Sequence, residues 1–151
     1  MKTVEGDLIS LALDGHFDVI VHGCNCFCTM GGGIARVIQE EFPEAYAADL
    51  VTAKGDRNKL GSFSSATVTR NNWEITIVNG YSQFHFHGAD VLVDYDAVRQ
   101  LFAGIKKTFA GKRIGYPKLG AGLAGGDWHI ISAIIDEELA GEDHCLVVYA
   151  R

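Results

Sequence analysis

The chain has 151 residues, of which 48% are hydrophobic and 21% are charged, and its net charge at pH 7 is −6. These values predict one globular domain with a full core and exclude a disordered chain. The negative charge argues against a protein that binds nucleic acid through a broad basic surface. No apolar run approaches the roughly 18 residues of a membrane-spanning helix, so no membrane partner is expected.

The cysteines and the N-terminal sequence indicate the cellular compartment. Cys24, Cys26 and Cys28 lie too close together to cross-link distant parts of a fold, and only Cys145 is remote from them. The N-terminal sequence MKTVEGDLIS has no apolar signal-peptide core. We therefore expect a cytoplasmic protein with reduced thiols, and we expect it to be a monomer.

The first half of the chain alternates strands and helices. A short strand is predicted over Lys2–Glu5, and the continuous apolar run FDVIVHG (17–23) predicts a strand buried on both faces. A helix begins at Gly33, and a first-turn proline starts a second helix over 43–53. Residues 54–61 are predicted to form a solvated polar loop. The first helix carries apolar residues at helical spacing, namely Ile34, Val37, Ile38 and Phe42.

The second half continues the alternation. Residues 65–70 and 73–79 flank an asparagine pair and predict a β-hairpin, which a loop over 80–90 follows. A long helix starts near Asp94 or Asp96, and RIGYP and HCLVVYA are strands on either side of a last helix that Asp127 caps. The apolar stripes of these two helices are Val98, Leu101, Phe102, Ile105 and Phe109, then Ile131, Ile134, Ile135 and Leu139.

This order of elements predicts an α/β fold: a three-layer α/β/α sandwich with a central mixed, mostly parallel sheet, in one domain over residues 1–151. In such sheets, ligands bind where loops leave the carboxyl ends of the strands. Two loops in that position are rich in glycine, CTMGGGIA (28–35) after the strand at 17–23 and GAGLAGG (120–126) after RIGYP.

Both glycine loops precede a helix, so main-chain N–H groups without an intrahelical partner point into the gap between them. Glycine also lacks the Cβ that would hold a ligand away from the backbone. A tight turn without function explains either loop alone. Two loops in equivalent positions favour binding of a diphosphate through backbone amides.

Other nucleotide and metal sites are less well supported. The sequence GAGLAG (120–125) matches a dinucleotide fingerprint, but the next strand ends in VYAR without the required acidic residue, and no P-loop sequence occurs. The C-x-C-x-C spacing of residues 24–28 is unlike that of zinc sites, and the HFH motif (85–87) is better explained as a loop over a ligand cleft. No metal and no cofactor is predicted.

Three motifs together resemble the macro domain family of ADP-ribose-binding modules: GDL after the first strand, HGCNCFCTMGGGIA, and PKLGAGLAGGDW. The variant H-x-C-N-C with GGGIA is most similar to the branch of small ADP-ribose 1″-phosphate phosphatases. The similarity spans nearly the whole chain in the order of elements. It implies that the partner is ADP-ribose or its 1″-phosphate.

The resemblance also implies roles for individual residues. Asp7 would accept a hydrogen bond from the adenine amino group, with the Leu8 backbone beside it, and Asn25 would contact the terminal ribose. Tyr149 is a candidate for stacking on the adenine, as are Tyr81, Phe84 and Phe86. The ribose and diphosphate would be lined by Gly31, Gly32, Gly33 and Ile34 in the first loop and by Gly120, Ala121, Gly122, Leu123, Ala124 and Gly125 in the second.

Two residues are candidates for catalysis of phosphate removal. His22 stands where the phosphatase branch has a histidine that is thought to act as nucleophile or base, and Asp127 would act as general acid or would orient water. Each also has a structural explanation, His22 as a hydrogen-bonded residue at a strand end and Asp127 as an N-cap.

Hydrolysis of the terminal phosphate is the leading hypothesis for function. The alternatives are a non-catalytic reader of ADP-ribose, a hydrolase that removes ADP-ribose from proteins or nucleic acid, and a domain that binds another nucleotide. A related branch that cleaves ADP-ribose esters uses an aspartate at the position of Ala124 and a lysine before the long helix, and this chain has neither.

Overall fold

The computed structural model of the chain describes residues 1–88 and 91–150. Its strands are β1 (Lys2–Gly6), β2 (Val19–Cys24), β3 (Phe63–Arg70), β4 (Trp73–Tyr81), β5 (Ile114–Tyr116) and β6 (His144–Tyr149). Its helices are α1 (Leu8–Leu13), α2 (Gly33–Glu41), α3 (Pro43–Leu50), α4 (Tyr95–Phe109) and α5 (Trp128–Glu138), and a 3₁₀ turn covers Arg57–Lys59.

The strands form one sheet in the order β1-β6-β5-β2-β4-β3. Every neighbouring pair is parallel except β3 and β4, which form the predicted hairpin. Asn71 and Asn72 connect them with φ angles of 52° and 66°. This left-handed pair matches the twist of a two-residue hairpin turn, which is why asparagine is suited to it. The prediction of a mixed, mostly parallel sheet is confirmed.

Helices cover both faces of the sheet and give the three predicted layers. On one face α1, α2 and α3 pack Ile38 and Phe42 against inward-facing strand residues such as Ile77. On the other face α4 and α5 pack Phe102 and Ile135 against the opposite sides of the same strands. Because the inner strands β2 and β5 are buried on both faces, β2 is continuously apolar instead of alternating, as the run at 17–23 predicted.

The direction in which successive strands are added to the sheet reverses between the neighbouring parallel strands β2 and β5. After β2 the chain crosses to α2 on one face, and after β5 it crosses to α5 on the other face. The loops that follow these strands therefore separate and leave a crevice at the carboxyl edge of the sheet, where ligands of open α/β sheets bind. These two loops are the predicted glycine loops.

Three details of the local predictions were wrong. Helix α1 was not predicted, because its six residues LISLAL follow a strand directly and are too few to show a helical period. Helix α3 ends at Leu50, since Val51 is its C-cap, whereas the sequence predicted a helix through residue 53. The loop at 54–61 is not wholly solvated: it contains a 3₁₀ turn, and Lys59 is buried.

The remaining helix boundaries agree with the predictions. Of the two candidates for the start of α4, Asp94 is the N-cap, and its carboxylate accepts from the N–H of Ala97 at 2.9 Å. Asp127 caps α5 in the same manner. Among the helices of residues 1–88 and 91–150, none combines the length and the apolar character needed to cross a membrane.

Candidate functional site

Two adjoining cavities form one cleft at the carboxyl edge of the sheet. The larger, of about 710 Å³, lies between the two glycine loops, and the smaller, of about 510 Å³, lies beside the ends of β1 and β6. Gly33, Ile34 and Pro117 line both cavities and so mark their junction. The cleft is therefore continuous from the first strand to the crevice between β2 and β5.

The first glycine loop presents main-chain donors to this cleft. Gly31, Gly32, Gly33 and Ile34 all line the larger cavity. Gly32 is the N-cap of α2, and it has no side chain to accept from the first N–H groups of that helix. Those N–H groups and the positive end of the helix dipole therefore remain available to an anion.

The second glycine loop supplies donors from the opposite wall. Gly120, Gly122, Leu123 and Ala124 line the larger cavity. Within the described chain, no backbone acceptor is found for the N–H groups of Gly122, Leu123 and Ala124. These N–H groups can donate to a ligand, and an anion site built from backbone amides stays a prediction.

Ala121 and Gly125, also predicted as ligand residues, do not line either cavity. The N–H of Ala121 donates to the carbonyl oxygen of Lys118 at 3.2 Å, and the N–H of Gly125 donates to that of Gly122 at 3.0 Å. Gly125 has a φ of 71°, in the left-handed region that favours glycine. In the structure these two residues shape the turn, and a contact with ligand stays a prediction for both.

The predicted adenine residues surround the smaller cavity. Asp7, Leu8 and Tyr149 all line it, and Tyr149 is 68% exposed. One carboxylate oxygen of Asp7, Oδ1, accepts from the N–H of Ser10 at 2.9 Å and so caps α1. A carboxylate has two oxygens, so the cap leaves acceptor capacity for a ligand.

The other aromatic candidates for adenine stacking lie elsewhere. Tyr81 is buried, and its hydroxyl donates to Asp49 at 2.7 Å. Phe84 packs against the Arg57 guanidinium, 4.0 Å from its ring centroid, and does not line the cleft. Phe86 is half-exposed and lines the larger cavity, at the end away from Asp7. Of these rings, only Tyr149 lies on the side of the cleft predicted for the adenine.

Asn25 lines the larger cavity, as a residue near the terminal ribose should, but its amide also organises its own loop. Its Nδ2 donates to the Thr29 hydroxyl at 2.8 Å and to the Thr29 carbonyl oxygen at 3.2 Å, and its Oδ1 accepts from the N–H of Phe27 at 2.8 Å. The amide oxygen can accept a second hydrogen bond, so a contact with a sugar hydroxyl stays a prediction.

His22 lies beneath the cleft and does not line it. Its side chain is completely buried, and its Nε2 is 2.7 Å from Asn79 Oδ1. Because the Asn79 amide nitrogen donates to the Ala45 carbonyl and to Ser64, its oxygen is the acceptor and His22 Nε2 carries the proton. Burial lowers the pKa of His22 to about 4, so the ring is neutral near pH 7.

Cys24 connects His22 to the cleft. Its thiol packs against the His22 ring, 3.5 Å from Nε2 and 3.7 Å from Nδ1, and the residue itself lines the larger cavity. His22 thus lies between Cys24 and Asn79. Burial raises the pKa of the Cys24 thiol well above its usual range, so the proton stays on sulfur and no thiolate forms.

Asp127 is exposed and lies outside the residues that line the two cavities. Its carboxylate accepts from the N–H of His129 at 2.8 Å, so its structural role as N-cap is confirmed. Its own N–H donates to the Tyr95 hydroxyl at 3.0 Å. A catalytic role for Asp127 stays a prediction.

The four cysteines are free thiols in the structure. Cys26 and Cys28 pack beneath the first glycine loop, where their thiols contact backbone carbonyl oxygens. In the described ranges, no three side chains of histidine, cysteine, aspartate or glutamate are grouped so that they could hold a metal ion. The thiols of the C-x-C-x-C motif serve in packing the loop.

A buried lysine holds the segment that leads from β2 into the first glycine loop, and the sequence did not indicate it. Lys59 is 7% exposed, and its Nζ donates to the carbonyl oxygen of Cys26 at 3.2 Å. The ammonium group also lies 4.6 Å from the centroid of the Tyr81 ring, whose hydroxyl contacts the buried carboxylate of Asp49. The positive charge of Lys59 therefore stabilises both the backbone before the loop and the buried carboxylate of Asp49.

Replacing Lys59 with methionine should lower the free energy of unfolding by about 1–2 kcal/mol, because the loop carbonyl and Asp49 lose their cationic neighbour. Hydrogen exchange of residues 24–32 should accelerate, since the loop loses an anchor. Chemical denaturation and exchange mass spectrometry measure the two effects. Lys54→Met, at an exposed position in the same loop, is the matched control. Equal behaviour of the two variants would contradict the anchoring role.

The fold and cleft define the class of protein as a three-layer α/β/α domain with a long cleft at its topological switch point. No protein-family model matches the chain. An uncharacterised 17.5 kDa protein of Enterobacteria phage T4, encoded in the tk-vs intergenic region, is 35% identical over 141 residues, which are 90% of this chain and 88% of that protein. An ADP-ribose 1″-phosphate phosphatase of Aspergillus oryzae is 41% identical over 46 residues, 30% of this chain and 21% of that protein.

Solved structures share the fold over almost the whole chain. A Bacteroides thetaiotaomicron protein has a TM-score of 0.77 at 21% identity, covering 99% of this chain and 98% of that one. The macrodomain of Thermus aquaticus DarG has a TM-score of 0.71 at 24% identity, with coverages of 99% and 97%. The Trypanosoma brucei macrodomain in complex with ADP-ribose has a TM-score of 0.65 at 17% identity, with coverages of 97% and 62%. The chain shares the macro domain fold with these structures.

Proposed function

We propose that this protein binds ADP-ribose along the cleft. The observation that supports the proposal best is the pair of glycine loops, which line one cavity at the crevice between β2 and β5 and carry N–H groups without a backbone acceptor among the described residues. A diphosphate is the linear dianion that such a pair of walls would hold without a lysine or arginine clamp. The structure of the Trypanosoma brucei macrodomain with ADP-ribose supports the choice of nucleotide.

The residues at the two ends of the cleft suggest the orientation in which the ligand would bind. The adenine would lie in the smaller cavity with Asp7 and Tyr149, and the terminal ribose would lie beyond the diphosphate near Asn25 and Phe86. Both cavities have volumes in the range that small-molecule sites occupy. The polar groups at the two ends suit their partners, since a carboxylate accepts from an exocyclic amino group and an amide pairs with sugar hydroxyls.

Exchanging Asp7 for asparagine should weaken binding of ADP-ribose by about tenfold, because the amide that replaces one carboxylate oxygen repels the adenine amino group. Asparagine caps helices as well as aspartate does, so thermal stability should hold. Isothermal titration calorimetry measures the change. The inosine analogue, which presents a carbonyl oxygen in place of that amino group, should bind the variant better than the unaltered protein. Equal affinities of the variant and the unaltered protein would contradict the assigned adenine site.

Hydrolysis of the terminal phosphate of ADP-ribose 1″-phosphate is a second proposed function. It is supported by the 46-residue match to the Aspergillus oryzae phosphatase. Since neither residue lines the cleft, we propose that His22 acts by orienting Cys24 and the first glycine loop, and that Asp127 orients water from the end of the second glycine loop. Phosphate release from the substrate should fall in both His22→Gln and Asp127→Asn. Asparagine keeps the N-cap, so the stability of Asp127→Asn should not change.

The two functions separate in one set of measurements. Binding of ADP-ribose without phosphate release would contradict the hydrolysis and would leave the binding proposal intact. Turnover that persists unchanged in Asp127→Asn would contradict the role of that carboxylate. Absence of ADP-ribose binding would contradict the primary proposal.

A further inference from the structure

One buried hydroxyl beneath the cleft has no hydrogen-bond partner among the described residues. Ser82 directly follows β4 at the carboxyl edge of the sheet, and its side chain is completely buried. Its Oγ accepts from no group and donates to none in that part of the chain. Buried hydroxyls are normally paired, because losing hydrogen bonds to water without replacement costs free energy.

The hydroxyl of Ser82 faces the bare Cα of Gly23 on the neighbouring strand. A Cβ added to Gly23 would stand 2.7 Å from Ser82 Oγ and 3.8 Å from the main-chain nitrogen of Gly120. The hydroxyl therefore occupies the place that a side chain at position 23 would take. Gly23 and Gly120 both line the larger cavity, so Ser82 Oγ lies directly under the floor of the cleft.

A second unpaired donor points to the same place. No backbone acceptor for the N–H of Gly120 is found in residues 1–88 and 91–150. Two donors, one in the loop after β4 and one in the loop after β5, thus lie beside the bare Cα of Gly23, under the stretch of cleft between the glycine loops. A hydroxyl and an amide near the same point suit one anionic oxygen, because hydrogen bonds to a charged acceptor are stronger than those between neutral groups.

We propose that Ser82 is a ligand-binding residue: its hydroxyl and the Gly120 N–H donate to one phosphate oxygen of the bound nucleotide at the floor of the cleft. This inference rests on the proposed function. The oxygen belongs either to the diphosphate of ADP-ribose or to the terminal phosphate of its 1″-phosphate. Both sources present the same chemistry, and titration with both ligands distinguishes them.

The main chain of Ser82 has a separate role that mutation of the side chain leaves intact. Its carbonyl oxygen accepts from the N–H of Asp94 at 2.8 Å, and its N–H donates to the carbonyl oxygen of Gly80 at 2.9 Å. Ser82→Ala keeps both bonds and removes only the hydroxyl. It leaves a small void against Gly23, which the double variant Gly23→Ala/Ser82→Ala fills with a methyl group.

These variants separate packing from hydrogen bonding. Ser82→Ala should bind at least one of the two phosphate ligands about tenfold more weakly by calorimetry, with adenosine affinity unchanged. The double variant should recover the melting temperature of the unaltered protein but not its affinity, since a methyl group cannot donate. Equal loss for both ligands would assign the oxygen to the diphosphate, and a loss for ADP-ribose 1″-phosphate alone would assign it to the terminal phosphate.

Two results would overturn the proposal. Unchanged affinities of Ser82→Ala for both ligands would show that the hydroxyl does not reach them. Recovery of affinity in the double variant would show that the hydroxyl only fills space. Failure of the unaltered protein to bind either ligand would instead overturn the proposed function, and with it this inference.

Discussion

Valine in place of Gly122 is expected to weaken ADP-ribose binding by roughly a hundredfold without destabilising the fold. A Cβ added to this residue has no atom within 4 Å, and its φ lies outside the left-handed region, so a larger side chain meets neither a clash nor backbone strain. Gly122 lines the larger cavity, so the isopropyl group would project into the space for the diphosphate. Calorimetry measures the affinity for ADP-ribose, and thermal unfolding measures the stability of the fold.

The size of the side chain provides an internal control. Gly122→Ala should weaken binding less than Gly122→Val, and Gly31→Val should act from the opposite wall, because Gly31 has equally open surroundings. Gly104→Ala in α4, where the added Cβ meets Phe63 at an ordinary 3.6 Å, controls for the general effect of replacing glycine. An unchanged affinity of Gly122→Val would show that no ligand approaches the backbone at the second loop.

The second large effect expected is acid sensitivity caused by His22. Its pKa is lowered to about 4 by burial, from an ordinary value near 6.5, so the unfolded chain binds a proton at a pH where the folded chain does not. The contribution of His22 to stability is therefore complete above pH 6.5 and is lost as the pH falls to about 4. Across that interval the free energy of unfolding should fall by about 3 kcal/mol on this account.

The comparison that isolates His22 is with His22→Gln, whose side-chain amide can donate to Asn79 but does not titrate. Urea unfolding at several pH values should give a shallower acid slope for the variant than for the unaltered protein. Burial lowers the pKa of His144 too, and that contribution has the same sign in both proteins and cancels in their difference. Identical slopes would contradict the account of His22 as a neutral buried group.

Features that depend on local pattern were predictable from the sequence. The apolar run of β2 and the asparagine pair of the β3–β4 hairpin were predicted in the right places. The start of α2 and the cap at Asp127 were also predicted correctly. Each of these signals lies within a few residues of the element that it predicts, so no tertiary contact is needed to interpret it. Both glycine loops follow from the same local signals.

Features that depend on partners far along the chain could not be predicted. Lys59 lies in a polar stretch, and it is buried only because the loop after β2 folds over it. The His22 ring lies beneath the cleft, where it is hydrogen-bonded to Asn79. Asn79 is 57 residues away in sequence and is the partner of His22 in the pairing of β2 with β4. The position of the Ser82 hydroxyl depends on Gly23, which is distant in sequence and whose lack of a side chain leaves room for it. A sequence motif indicates which loop is functional, but it does not indicate which side chains of that loop face the ligand.

The central claim is that amides of both glycine loops hold one diphosphate. Two-dimensional ¹H–¹⁵N NMR of the labelled protein during titration with ADP-ribose tests this claim most directly. We predict that the largest amide shifts occur together, at one ligand concentration, in Gly31–Gly33 and in the segment from Gly120 to Ala124. Large shifts in only one of these loops, or shifts confined to residues outside the cleft, would contradict the account.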